Sequence, residues 1–164
     1  LFRSFLCLTL AVTPVRHWTG WNALARLRRM LGLYAFTYGT LHFLAFAWLD
    51  QGFDVDAILK DIAKRPFILV GTAALLLMLP LAATSFNKAI KALGAARWQA
   101  LHKAVYAVAL LGLPHFFWMR AAKNNFGEWS IYAAVLAVLL GWRVRTALKR
   151  RGYFIKPGSQ RLSG

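Results

Sequence analysis

Three histidines sit where the chain is otherwise apolar: His42 within Thr40-Leu41-His42-Phe43-Leu44, His102 after Gln99-Ala100-Leu101, and His115 within Leu111–Trp118. A titratable ring in an apolar run is costly to bury and is usually kept for function. A proton relay would recruit carboxylates, and none of the apolar runs holds Asp or Glu. A zinc site needs its ligands close together, often with Cys or carboxylate. These histidines are spread along the chain, and Cys7 is the lone cysteine. Haem iron suits them better, because two imidazoles on opposite faces of the porphyrin fill its axial positions and leave a centre that passes electrons. No Cys-x-x-Cys-His is present for covalent attachment, so the haem, one or two per chain, is expected to be bound non-covalently. His17, beside Trp18, reads as an interfacial anchor.

The elements that must position these rings are membrane helices. A span needs about 20 predominantly apolar residues, and four segments approach this: Met30–Leu49, Pro66–Thr84, Leu101–Met119 and Trp129 to Leu148. A fifth, Phe2–Val15, is expected to end at Thr13-Pro14. The chain opens with Leu1 inside an apolar stretch, so a sixth helix is expected to precede it. The fold class is thus an all-α polytopic transmembrane bundle, five helices here and six in the full-length protein. Residues 1–164 form a single domain whose last part, 149–164, is a basic tail.

Charge orients the bundle. One set of connections carries Arg16, Arg26, Arg28, Arg29, Lys88, Lys91 and Arg97, and the tail from Arg143 onward belongs with it. The alternate set carries all five acids, Asp50, Asp54, Asp56, Asp61 and Glu128, with Lys60, Lys64, Arg65, Arg120 and Lys123. The bias of Lys and Arg toward cytoplasmic loops places the first set inside. The seven tryptophans fall near span ends, as an aromatic belt requires.

Orientation fixes depth. His42 and His115 both lie past the midpoint of helices running outward, so they pair on an outer haem. His102 and His115 are 13 residues apart, roughly 20 Å along a helix, and point about 140° apart on an ideal one. They therefore serve different sites, with Gly112 and Pro114 offering a kink that resets the facing. His102 has no histidine opposite at its depth. Nearly four turns before His42 stands Arg28, which either meets a haem propionate or is an ordinary cytoplasmic charge. Gly32, Thr37, Gly39 and Thr40 lead up to His42, and small residues allow a helix or a flat macrocycle to approach.

Composition excludes other classes. Of 164 residues, 59% are hydrophobic, above the roughly 45–50% of soluble domains. A formal charge of +16 would suggest nucleic acid in a soluble protein. Here the charges stand in short clusters between apolar runs, so the partner is the lipid bilayer and no nucleic acid is expected.

Several stretches carry a family resemblance: Leu8-Thr9-Leu10-Ala11-Val12-Thr13-Pro14, Arg28-Arg29-Met30-Leu31-Gly32-Leu33, Thr40-Leu41-His42, Lys64-Arg65-Pro66-Phe67, and Arg97-Trp98-Gln99-Ala100-Leu101-His102-Lys103-Ala104-Val105-Tyr106. Over nearly its whole length the chain resembles the MsrQ (YedZ) family of the ferric-reductase-like transmembrane superfamily. The resemblance implies a six-helix bundle with b-type haem on His42, His102 and His115. Arg28 stands where relatives with two histidine pairs hold a fourth ligand. It also implies FMN, though no local motif for it is visible. It further implies a bacterial inner-membrane subunit that takes electrons from the quinone pool or a cytoplasmic flavin reductase. The acceptor it implies is an MsrP-like periplasmic molybdopterin enzyme that reduces methionine sulfoxide in oxidised proteins. The chain would then be the electron-transfer subunit rather than the one that reduces the substrate.

Two other readings stand beside this one. A ferric-reductase or oxidase-like protein would reduce an external acceptor itself, but only 16 residues follow Leu148, too few for flavin and nicotinamide domains. A transporter or scaffold would show broken helices with charge near the midplane, and only Pro80 and Pro114 interrupt the spans.

Overall fold

The computed structural model describes residues 2–21, 23–121 and 126–154, and among them all regular structure is helical. The order is α1 (Phe2–Thr19), α2 (Leu24–Ala45, prolonged by a wider π turn over Phe46–Asp50), α3 (Val55–Lys64), α4 (Pro66–Ala83), α5 (Asn87–Leu93), α6 (Ala95–His102), α7 (Ala104–Ala121) and α8 (Gly127–Phe154). Four helical stretches are long and apolar enough to cross a membrane: Arg26–Asp50, Pro66–Ala83, Ala95–Ala121 and Gly127–Lys149. The bundle is built by α1 against α2 and α8, α4 against α2 and α7, and α7 against α8. Lys123, Lys156 and Arg161, assigned above to the outer loops and the tail, lie outside the described residues.

The packed centre is small. Leu6, Leu10, Ala35, Ala74, Met78, Val108, Ala109 and Leu136 form one buried cluster, with Val108 and Ala109 at 0% exposure. Around it the apolar residues face outward: Leu49 is 74% exposed, Val138 70% and Leu76 59%. Water would make such a surface aggregate. Hydrocarbon accepts it, and the multi-pass membrane reading follows from this surface together with the four long apolar helices.

Three details depart from the sequence expectation. First, α1 does not end at Thr13-Pro14 but runs through Pro14 to Thr19. Proline removes the bond that would close on the carbonyl four residues earlier, here Leu10. Arg143, from α8, supplies the replacement: its Nη2 donates to Leu10 O at 3.0 Å and to Thr13 Oγ1 at 2.8 Å. Its Nη1 donates to the Tyr106 hydroxyl, so one guanidinium ties α1, α7 and α8. Second, the 51–65 connection contains α3, started by Asp54, whose carboxylate accepts from the Asp56 and Ala57 backbone N–H groups at 3.0 and 3.1 Å. Third, the span carrying His102 and His115 is interrupted at Lys103, between α6 and α7, not first at Pro114, which stays inside α7. Lys103 N bonds Ala100 O at 3.2 Å and Tyr106 N bonds Lys103 O at 3.0 Å. These three-residue closures tighten the turn and break the register between the two histidines.

The Arg143 tie makes a prediction. In detergent, Arg143→Met is expected to lower unfolding stability by on the order of 3 kcal/mol, since a charged hydrogen-bond donor is lost and a carbonyl is left unpaired. In a Pro14→Ala background Leu10 O regains its helical partner, so the same substitution should cost clearly less. Denaturation of the four proteins of this cycle checks it, and equal costs in both backgrounds would refute the coupling.

Candidate functional site

The structure brings His42 of α2 and His115 of α7 together. Their ring centroids are 6.3 Å apart and the ring planes cross at 77°. A metal–imidazole bond is about 2 Å, and a ring nitrogen lies roughly 1 Å from its centroid, so two imidazoles bound to one ion from opposite sides have centroids roughly 6 Å apart. The observed spacing therefore fits a single iron between the rings. Among the described residues no group of three or more His, Cys, Asp or Glu gathers to hold a bare metal ion.

Space flanks this pair on both sides. A cavity of about 230 Å³ lies on the α4 flank, walled by His42, His115, Gly39, Phe67, Gly71 and Thr72 among others. A second, of about 510 Å³, lies on the α1 and α8 flank, where Leu6, Cys7, Tyr132 and Leu136 face the same two histidines. A flat macrocycle set across the His42–His115 axis extends into both. Thr72 Oγ1 is buried on the first wall with no hydrogen-bond partner, the mark of a cavity wall waiting for a polar group of a ligand. The residues present thus fit a haem.

Backbone chemistry prepares His115 for ligation. Its Nδ1 lies 2.7 Å from the Phe67 carbonyl oxygen. A carbonyl only accepts, so Nδ1 carries the proton and Nε2 keeps its lone pair for a metal. Such a partner on the far nitrogen is the usual means of orienting a ligating histidine.

His102 is elsewhere and differently held. It shares a smaller cavity of about 60 Å³ with Arg28, Arg29, Gly32, Thr9 and Trp98, so His102 and Arg28 do adjoin. Its ring stacks on Trp98, with centroids 4.0 Å apart and planes 28° apart. The Trp98 Nε1–H donates to the Thr84 carbonyl at 2.9 Å, and His102 Nε2 lies 3.1 Å from Thr84 Oγ1. The Thr84 hydroxyl proton is directed at Pro80 O, 2.7 Å away. The hydroxyl therefore accepts from His102, and Nε2 carries that ring's proton. Met78 lines both the smaller cavity and the α4-side one, so the two regions share this side chain.

Sequence reasoning missed several of these residues. Trp98 reads as one more belt aromatic, although its place four residues before His102 puts both on one helical face. Gly71, Phe67, Thr72 and Thr84 carry no local signal of their own. Arg143 was counted as a cytoplasmic charge, and His17 meets Trp142 edge-on at 5.6 Å.

The opposite tautomers of His115 and His102 are measurable. Nitrogen-15 spectra of histidine-labelled, haem-free protein in lipid should show Nδ1 protonated at His115 and Nε2 protonated at His102. Thr84→Val should abolish the preference at His102 alone. The same tautomer at both rings would contradict the hydrogen-bond assignment.

The wider comparison now has a geometry to meet. Residues 1–113 match the family model described as the ferric reductase like transmembrane component. The chain is 66% identical over 140 residues to the protein-methionine-sulfoxide reductase heme-binding subunit MsrQ of Polaromonas naphthalenivorans, covering 85% of this chain and 64% of that one. It is 60% identical to the subunit of the same name from Ralstonia nicotianae, again over 85% of this chain and 64% of that one. To that of Bordetella pertussis it is 55% identical over 90% of this chain and 71% of the relative. The chain thus spans 64% of the length of the first two relatives. No solved structure matches it. On these matches, the chain belongs to the MsrQ family of ferric-reductase-like transmembrane proteins.

Proposed function

We propose that this chain binds b-type haem between His42 and His115 and conducts electrons across a bacterial inner membrane for a methionine sulfoxide reductase. The observation that carries this is the facing pair of imidazoles, 6.3 Å apart, at the junction of two cavities. The relatives' printed name, a heme-binding subunit of a protein-methionine-sulfoxide reductase, supports both the cofactor and the partner.

Haem iron, when bound, supplies one-electron reduction and reoxidation at a fixed place in the membrane. The chain's own residues do the rest. His42 and His115 would offer one nitrogen each from two helices, and an iron held by both would resist binding substrate directly. The Phe67 carbonyl holds the His115 proton on the far nitrogen. Phe43, Phe46, Ile68, Leu75 and Met78 make much of the cavity wall apolar, with Asp50 and Arg65 also lining it, and the polarity of such a wall is one of the protein's levers on potential.

The basic end of the bundle, with Arg16, Arg26, Arg29, Lys88 and Arg97, faces the cytoplasm. There electrons enter from quinone or a flavin reductase, with FMN as a further carrier in keeping with the family resemblance. The acidic end faces the periplasm and an MsrP-like molybdopterin enzyme that takes the electrons. His102 and Arg28, sharing one cavity near the basic end, form an inner site. Arg28 would meet the propionate of a haem bound there, so that a second haem would be held by one histidine and one arginine.

Purified protein from haem-replete cells is expected to show a b-type spectrum that dithionite reduces. His42→Ala and His115→Ala should each remove the same spectral component, and His102→Ala should spare more haem than either. A haem-free preparation would end the proposal, and loss of different components from the first two variants would end the pairing.

A further inference from the structure

Any side chain at position 71 would collide with the ring of His115 as it stands. A Cβ built on it would lie 2.8 Å from both Cε1 and Nδ1 of His115 and 3.6 Å from Cγ. Other helical glycines are not so pressed: at Gly112 the nearest atom is 3.9 Å away, at Gly32 4.0 Å, and at Gly141 nothing lies within 4 Å. The atoms met at Gly71 belong to a rigid ring one bond from its own Cβ, not to the end of a long side chain. Relief by moving the helices apart is opposed by their packing, since Ala74 and Met78 of α4 and Val108 and Ala109 of α7 share the buried core.

The same turn of α4 holds the ring from above. Phe67, whose carbonyl takes the Nδ1–H at 2.7 Å, lies four residues, about one helical turn, before Gly71. The imidazole therefore lies along one turn of α4, with its Nδ1 on a backbone oxygen and its edge over a bare Cα. Reaching the carbonyl and lying over residue 71 are one requirement, because a side chain at 71 would push the ring off the oxygen.

We infer that Gly71 and the Phe67 carbonyl form a seat that fixes both the rotation and the tautomer of His115, making Gly71 a positioning residue for the ligand that His115 holds. The inference rests on the haem reading above. The seat has two consequences. Donation from Nδ1–H to a carbonyl makes Nε2 a stronger donor to the metal, which favours oxidised iron and lowers its potential. The seat also fixes the His115 plane, which lies 77° from that of His42. Nearly perpendicular axial imidazoles give oxidised low-spin haem a strongly anisotropic electron paramagnetic resonance signal, and parallel ones give a more rhombic signal with a smaller principal g value.

The test uses the full-length protein with its haem. Wild type should give the strongly anisotropic signal. Gly71→Ala should reduce that anisotropy and raise the midpoint potential of the same component, and Gly141→Ala, placed in open space, should leave both unchanged. If Gly71→Ala sheds its haem, the wild-type spectrum still decides: a signal of parallel rings overturns the seat without any variant. An unaltered signal and potential in haem-loaded Gly71→Ala overturn it equally. Wild type without haem, or His115→Ala with its haem intact, would instead remove the functional proposal beneath it.

Discussion

Inside hydrocarbon a polar atom has no water to turn to, and each N–H, hydroxyl or carbonyl must find its partner within the protein. This constraint organises the polar chemistry of the bundle. Thr9, Thr37, Thr40 and Thr146 return their hydroxyl protons to carbonyls four residues earlier. His115 gives its far proton to Phe67, His102 gives its own to Thr84, and Arg143 fills the vacancy left by Pro14. What such pairing leaves over includes a lone pair on His115, the hydroxyl of Thr72 and the Nε of Arg143. The proposed haem site is thus defined as much by the polar groups already engaged as by the one left open.

The same constraint distinguishes the two histidine regions. At His42 and His115, space and a free ligating nitrogen coincide, with cavities of about 230 and 510 Å³ on either flank. At His102 the available space is about 60 Å³, the ring is stacked on an indole, and its outer nitrogen is bonded to a threonine. Ligation through Nε2 there must displace a hydrogen bond, whereas Nε2 of His115 is left open by the proton that Nδ1 directs at the Phe67 carbonyl. His102 and His115, two histidines of one membrane span, therefore differ in how ready they are.

Much of the architecture was legible in the sequence because hydropathy is a direct image of the solvent each segment meets. The Pro66–Thr84 segment falls within one residue of α4, and the other spans are recognisable though longer than their apolar cores, as in α8, which begins at Gly127 and continues to Phe154. The facing of His42 and His115 could be reached from depth alone, since two helices of like direction set equal depths side by side. The break at Lys103 could not, because no glycine or proline marks it and short-range closures make it. Pro14 misled for the complementary reason: its helix continues only because a side chain from the far end of the chain completes it. Gly71 looked like one of many small residues in an apolar helix. Its role appears only once the ring of another helix lies over it.

The proline in α1 carries a consequence of another kind. Pro14 creates a need that Arg143 meets, and Arg143 in turn spends two nitrogens on α1 and Tyr106. Neither residue has full value without the other. Positions 14 and 143 are thus expected to change together. A lineage that replaced the proline would relax selection on the arginine, and one that lost the arginine first would carry a weakened bundle until the proline followed.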